Sequence, residues 1–118
     1  MENVSIAAQA SVVNRILTDD ECTEFADILV KTNKPEYNVL KLVEELAELQ
    51  EKVIKYHTKS TERKPSKDDL VEEMGDVTLR IMILGQQLGA LNDIDDRIAF
   101  KLTKLKGWYD QGKYIGGL

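Results

Sequence analysis

Cysteine, histidine and proline are almost missing from this chain of 118 residues, which holds one, one and two of them. One cysteine excludes an internal disulfide framework, and one cysteine with one histidine cannot build a structural zinc site within one chain. Seven glycines and two prolines leave few chain breakers, which favours helix. Long apolar runs are missing too: no stretch approaches the ~18–20 residues of a membrane span. The N-terminal stretch MENVSIAAQASVVNRIL has an acidic second residue and polar breaks, so it does not read as a signal peptide. These absences lead us to expect a cytoplasmic protein that avoids membranes. An excess of positive charge is the last absence. With 16 basic and 21 acidic residues the net charge is −5 and the pI near 4.9. That balance disfavours a nucleic-acid polymer or a membrane surface as partner, because both call for a basic face.

What is present is enough for a core: 42% of the residues are hydrophobic. The length fits a single domain over residues 1–118. Punctuation then divides the chain into helices. Residues 4–17 form a first, ambiguous helix rich in valine. Thr18, followed by Asp19, Asp20 and Glu21, signals a helix start for residues 20–32, with Phe25, Ile28 and Leu29 at helical spacing. Cys22 is expected in that helix's core face. Pro35 suits the first turn of a long helix running to about His57. Its stripe is Leu42, Leu46, Leu49 and Val53, widened by Val39, Val43 and Ile54. A polar loop, TKSTERKPS, precedes Ser66-x-x-Asp69, a variant capping box. The helix after it spans residues 67–90, with Leu70, Met74, Val77, Ile81, Leu84 and Leu88 as its stripe. Asn92 and Asp93 are candidate caps for a last helix, 94–106, with Ile94, Ile98, Leu102 and Leu105, and Gly107 as its stop. Residues 107–118 form an aromatic, glycine-rich tail. No strand-like alternation of useful length appears, so the fold class is all-α, an antiparallel helical bundle.

Two of these helices carry the same text. Residues 42–49 read LVEELAEL and residues 70–77 read LVEEMGDV, identical at four positions and conservative at the rest. At 100° per residue, with Leu42 as the origin, Glu45 falls at about 300° and Glu48 at about 240°, flanking the apolar stripe. Glu73 and Asp76 take the same angles relative to Leu70, while Glu44 and Glu72 point further round, at about 200°. Antiparallel packing would bring the two acid pairs face to face. Ala47 and Gly75 hold matching positions, and their small size would permit close approach. Acid pairs on helices are more often salt-bridge partners, and Glu48→Lys52 and Asp76→Arg80 have that i,i+4 spacing. Two pairs at matched angles favour a cluster instead. Four clustered carboxylates repel each other and resist burial, and a cation answers both problems. An all-oxygen donor set suits Mg²⁺, with Mn²⁺ as substitute. A di-iron site is discounted, because Ile54 stands where a Glu-x-x-His motif ending at His57 would need glutamate.

Glu45-x-x-Glu48 followed by Glu73-x-x-Asp76 resembles the ExxE…ExxD signature of the MazG-like, all-α nucleoside triphosphate pyrophosphohydrolase superfamily. The resemblance covers residues 36–106. The stretch Ile98–Leu105 looks like the basic last helix of its small, single-module phage and Firmicute members. The resemblance implies a Mg²⁺-dependent hydrolase. It would cleave a (deoxy)nucleoside triphosphate between the α- and β-phosphates, to monophosphate and pyrophosphate. Glu45, Glu48, Glu73 and Asp76 would be its metal-binding and catalytic residues. It also implies a homodimer or homotetramer in which helices of two subunits complete each site. Basic residues suited to phosphates are Lys52, Arg80, Lys101 and Lys104, and Glu48 is our choice of general base. Two alternatives stand beside this reading: phosphoribosyl-ATP pyrophosphatase, and a non-catalytic helical interaction or regulatory protein on the same fold. Lys59, Arg63, Lys64 and Lys67 make the 58–67 loop basic, and solvation is its favoured role. For Tyr37, Tyr56, Trp108, Tyr109 and Tyr114, packing is favoured over base stacking. His57 is expected to meet the C-terminal carbonyls of its helix.

Overall fold

The computed structural model describes residues 15–58 and 64–113. Most of the expected 4–17 helix, Lys59, Arg63 and Tyr114 lie outside those residues. Among the described residues the chain is all-helical and has no strand: α1 (Asp19–Thr32), α2 (Pro35–His57), α3 (Lys67–Gln87) and α4 (Leu91–Asp110). No described helix is long and apolar enough to cross a membrane.

Local chemistry explains the helix starts. Thr18 accepts from the Glu21 N–H while the Glu21 carboxylate accepts from the Thr18 N–H, a reciprocal capping box. Residues 15–17 are therefore extended approach rather than helix. Arg15 folds back and donates to both Glu21 oxygens, at 2.8 and 2.6 Å. Pro35 occupies the first turn of α2, where its missing N–H leaves no bond unmade. Ser66 and Asp69 form the second capping box, at the head of α3.

The helix ends depart from the sequence reading. α3 stops at Gln87, because Gly89 adopts φ 66°. The Gly89 N–H donates to the Gln86 carbonyl and the Ala90 N–H to the Gly85 carbonyl, which closes a Schellman turn. That turn starts α4 immediately, with Ala90 as its cap residue and no side-chain cap, so Asn92 and Asp93 lie within its first turn. Gly107 does not end α4. The helix runs on to a second Schellman turn at Gly112, φ 75°, where the Gly112 and Lys113 N–H groups donate to the Tyr109 and Trp108 carbonyls.

α2 and α3 pack antiparallel, since the start of α2 bonds the end of α3 and the end of α2 bonds the start of α3. The packed seam is not the apolar stripe's centre. Leu46, Val53, Val39, Val43 and Ile54 on α2 are exposed, as are Met74, Ile81 and Leu88 on α3. Buried instead are Asn38 and Glu45 on α2, and Glu73, Val77, Ile83 and Gly85 on α3. On the helical wheel the shift is about 40° toward the acids. One neighbouring helix covers only one edge of a wide stripe, and the polar residues at that edge pair across it. Among the described residues, much of the rest of the stripe is left exposed.

The seam's polar residues recur every seventh position: Asn38, Glu45, Lys52 on α2 and Glu73, Arg80, Gln87 on α3. Asn38, 1% exposed, donates to Gln87 Oε1 at 2.7 Å and accepts from Asn33. Lys52 Nζ donates to Glu73 Oε2 at 3.0 Å. Polar residues at seam positions fix register as they do in coiled coils.

α1 docks on α3 through Gln86 Nε2, which donates to Asp27 Oδ1. It has no buried residue, and Phe25, Ile28 and Cys22 are exposed, against the expected core face. α4 touches α3 only near the turn between them. Gly85 permits that contact, since a Cβ there would sit 2.7 Å from Ile94 Cδ1 and 3.1 Å from Leu91 Cδ2. Gly75 shows no such approach: a Cβ would meet nothing within 4 Å. Gly75→Ala is therefore expected to stabilise the protein by about 1 kcal/mol, the helix propensity difference, as a raised midpoint in urea denaturation.

Candidate metal centre

Three-residue spacing within each of two antiparallel helices sets the acids Glu45, Glu73 and Asp76 around one point of the seam. Glu73 is 0% exposed and Glu45 is 7% exposed. One oxygen each of Glu45, Glu73 and Asp76 lies within 4.8 Å of the others. Glu48 stands beside this trio, close enough for its charge to bear on Glu45. Glu45 Oε2 and Glu73 Oε1 are buried with no hydrogen-bond partner. Buried carboxylate oxygens are ordinarily satisfied, so two orphans in one place point to a missing proton or cation.

The electrostatics follow from the crowding. Glu45 is pushed up to about 7 by hydrogen bonding with Glu73, then by burial, then by the charges of Glu73, Glu48 and Asp76. Burial works against the Glu73 charge as well, but the Glu45 proton and the Lys52 ammonium overcome it and hold Glu73 below its ordinary value. Burial and the charges of Glu73 and Glu72 raise Asp76. Lys52 is raised in turn: burial opposes its charge, and the bond to Glu73 together with the charges of Glu73, Glu72 and Asp69 outweighs burial. Glu45 is thus the acid of the cluster most readily protonated.

Lys52 has left its i,i+4 neighbour Glu48 and crosses the seam to Glu73. Arg80 acts on Asp76 through space, lowering it, and makes no ion pair with Glu45. Lys101 and Lys104 lie elsewhere. Their ammonium groups sit 5.9 and 5.0 Å from the Trp108 ring centre on the exposed helix α4. Tyr37 receives Lys41 on its ring face, at 5.8 Å. Tyr56 packs edge-on against His57, at 5.1 Å, so His57 meets a ring at the helix end. Lys64 and Lys67 are exposed, as a solvated loop requires.

Asn38 is the seam residue that the sequence reading passes over. Its signal is position alone: it lies two turns before Glu45 on the same edge, as Gln87 lies two turns after Glu73. The donor set itself fits a hard divalent ion: carboxylate oxygens only, two of them buried and unsatisfied. Comparison with protein-family models, with curated proteins and with solved structures returned no match.

An acid that is protonated more readily in the native chain makes stability depend on pH. Glu45 goes from an ordinary 4.5 to about 7 on folding, so the native state binds the extra proton between those values. The Glu45 contribution to stability is full below about 4.5 and is lost as pH rises through about 7. Urea denaturation in EDTA should show a loss on the order of 1–3 kcal/mol between about pH 5 and about pH 7.5. Glu45→Gln should flatten that slope.

Proposed function

We propose that the protein is a Mg²⁺-dependent nucleotide pyrophosphohydrolase, and the pair of buried, unpartnered carboxylate oxygens on Glu45 and Glu73 carries the reading. Their convergence with Asp76 suits a cation that arrives with a polyphosphate, and the ExxE…ExxD resemblance supplies the reaction class. Glu45, Glu73 and Asp76 would hold the ion, with Glu48 at the rim. A bound Mg²⁺ supplies neutralisation of the phosphates and acidifies a water for use as nucleophile.

The protein's own part is positioning and proton handling, which is most of what phosphoryl chemistry asks. Glu48 is only partly buried and so can face both solvent and cluster. It takes the proton from the attacking water, whose oxygen bonds to phosphorus as the α–β bridge breaks and pyrophosphate leaves. Lys52 and Arg80 occupy the same sector as the acids, one turn beyond each pair, and meet the phosphate oxygens.

The active form in this proposal is a homo-oligomer. Val77 and Ile83 are the only fully buried apolar side chains among the described residues. The radius of gyration is 17.8 Å, against about 13 Å for a compact domain of this size. A second copy laid over the exposed stripes of α2 and α3 would bury Leu46, Val53 and Ile81, all of them now in contact with water. Lys101 and Lys104 reach an acid cluster only if α4 of one copy lies near α2 and α3 of another.

Pyrophosphate release across a panel of ribo- and deoxynucleoside triphosphates tests the activity. Turnover of at least one is expected with Mg²⁺, none in EDTA, and a loss of about 100-fold or more in Glu73→Gln. No turnover of any nucleotide with Mg²⁺ or Mn²⁺ would refute the activity. Light scattering should give a dimer or tetramer at micromolar concentration, and Leu46→Glu should shift it toward monomer. A strict monomer would refute the assembly.

A further inference from the structure

The acid cluster already contains a cation of its own. Lys52 Nζ lies 3.0 Å from Glu73 Oε2, on a carboxylate that has no exposure at all. The lysine side chain is one-third exposed. It therefore reaches inward from the rim. The remaining oxygen of Glu73 and one of Glu45 stay without a partner, so a single ammonium satisfies only part of the cluster. A divalent ion among the same oxygens would satisfy more of them, and it would repel an ammonium bound to one of its own ligands.

We propose that Lys52 is the resident counter-ion of the metal-free site, displaced from Glu73 when a divalent cation enters and thereby freed to meet a phosphate. This rests on the metal reading above. Ammonium and metal are alternative neutralisers of one buried charge. The chain is held together in the metal-free state by the lysine, and in the loaded state by the ion. Displacement also orders the events: the residue that greets the phosphate becomes available only once the metal is in place. Lys52 is thus a positioning residue whose location reports the state of the site.

Lysine labelling of the full-length wild-type protein tests the exchange, with calorimetry run in parallel on Mg²⁺ alone. Reductive methylation read by mass spectrometry should modify Lys52 slowly in EDTA and several-fold faster with saturating Mg²⁺. Lys106, paired with Asp110 on α4, serves as the unchanged reference. Mg²⁺ binding without any rise at Lys52 overturns the exchange and leaves the metal site standing. Absence of Mg²⁺ binding overturns both. Lys52→Met gives a second readout. Its melting temperature should fall below wild type in EDTA, and the gap should close with Mg²⁺, because the ion then does the lysine's work. A deficit of equal size with and without Mg²⁺ means a packing role only and overturns the proposal.

Discussion

The α2–α3 seam is arranged around the burial of a glutamate. Glu73 lies fully out of water in the α2–α3 seam, an arrangement that costs several kcal/mol unless the charge is answered. One answer is the ammonium of Lys52, and another is the proton that Glu45 takes up. The register of the hairpin serves those answers. Asn38 against Gln87 pins one end of the seam and Lys52 against Glu73 pins the other. A slip of one helical step would break both pairs and leave a carboxylate alone in the interior. The acid cluster is thus a structural constraint before it is a chemical opportunity.

Helix content was legible because it is written locally. Thr18 with Glu21, Pro35, and Ser66 with Asp69 each announce a start that short-range bonds then make. Helix ends were less legible. Gly89 and Gly107 look alike as text, and only the backbone bonds to Gly85 and Gln86 mark the first as a turn. The acid cluster was legible for a different reason: the same eight-residue pattern occurs twice, and repetition sets relative angles without knowledge of the fold. What escaped was the direction of packing. Periodicity gives the centre of an apolar stripe, but the neighbour decides which edge is covered. Here the covered edge holds Asn38, Glu45 and Glu73, while Leu46 and Met74 face outward. Cys22 and Phe25 failed as core for the same reason, since α1 meets α3 by a polar bond at its margin.

The exposed apolar surface and the buried polar seam are two sides of one design. A hairpin that spends its interior on carboxylates has little apolar contact of its own, and a net charge of −5 gives no help in holding it closed. Among the described residues, the wide stripes of α2 and α3 and the apolar side chains of α4 remain largely exposed. Among the described residues, α4 meets α3 at the close approach that Gly85 permits. That leaves its basic and aromatic residues, Lys101, Lys104 and Trp108, free of any commitment to the seam.

The repeat that matches α2 to α3 relates the two helices by an approximate twofold axis, with Glu45 equivalent to Glu73 and Lys52 to Arg80. Perfect symmetry would give two crossing ion pairs, Lys52 with Glu73 and Arg80 with Glu45. Only the first is made. The failure of the second displaces two chemically identical glutamates in opposite directions: Glu73 is held below its ordinary value and Glu45 is pushed above it. A repeated pair of helices has thereby lost its equivalence, with the two copies of one residue facing different surroundings.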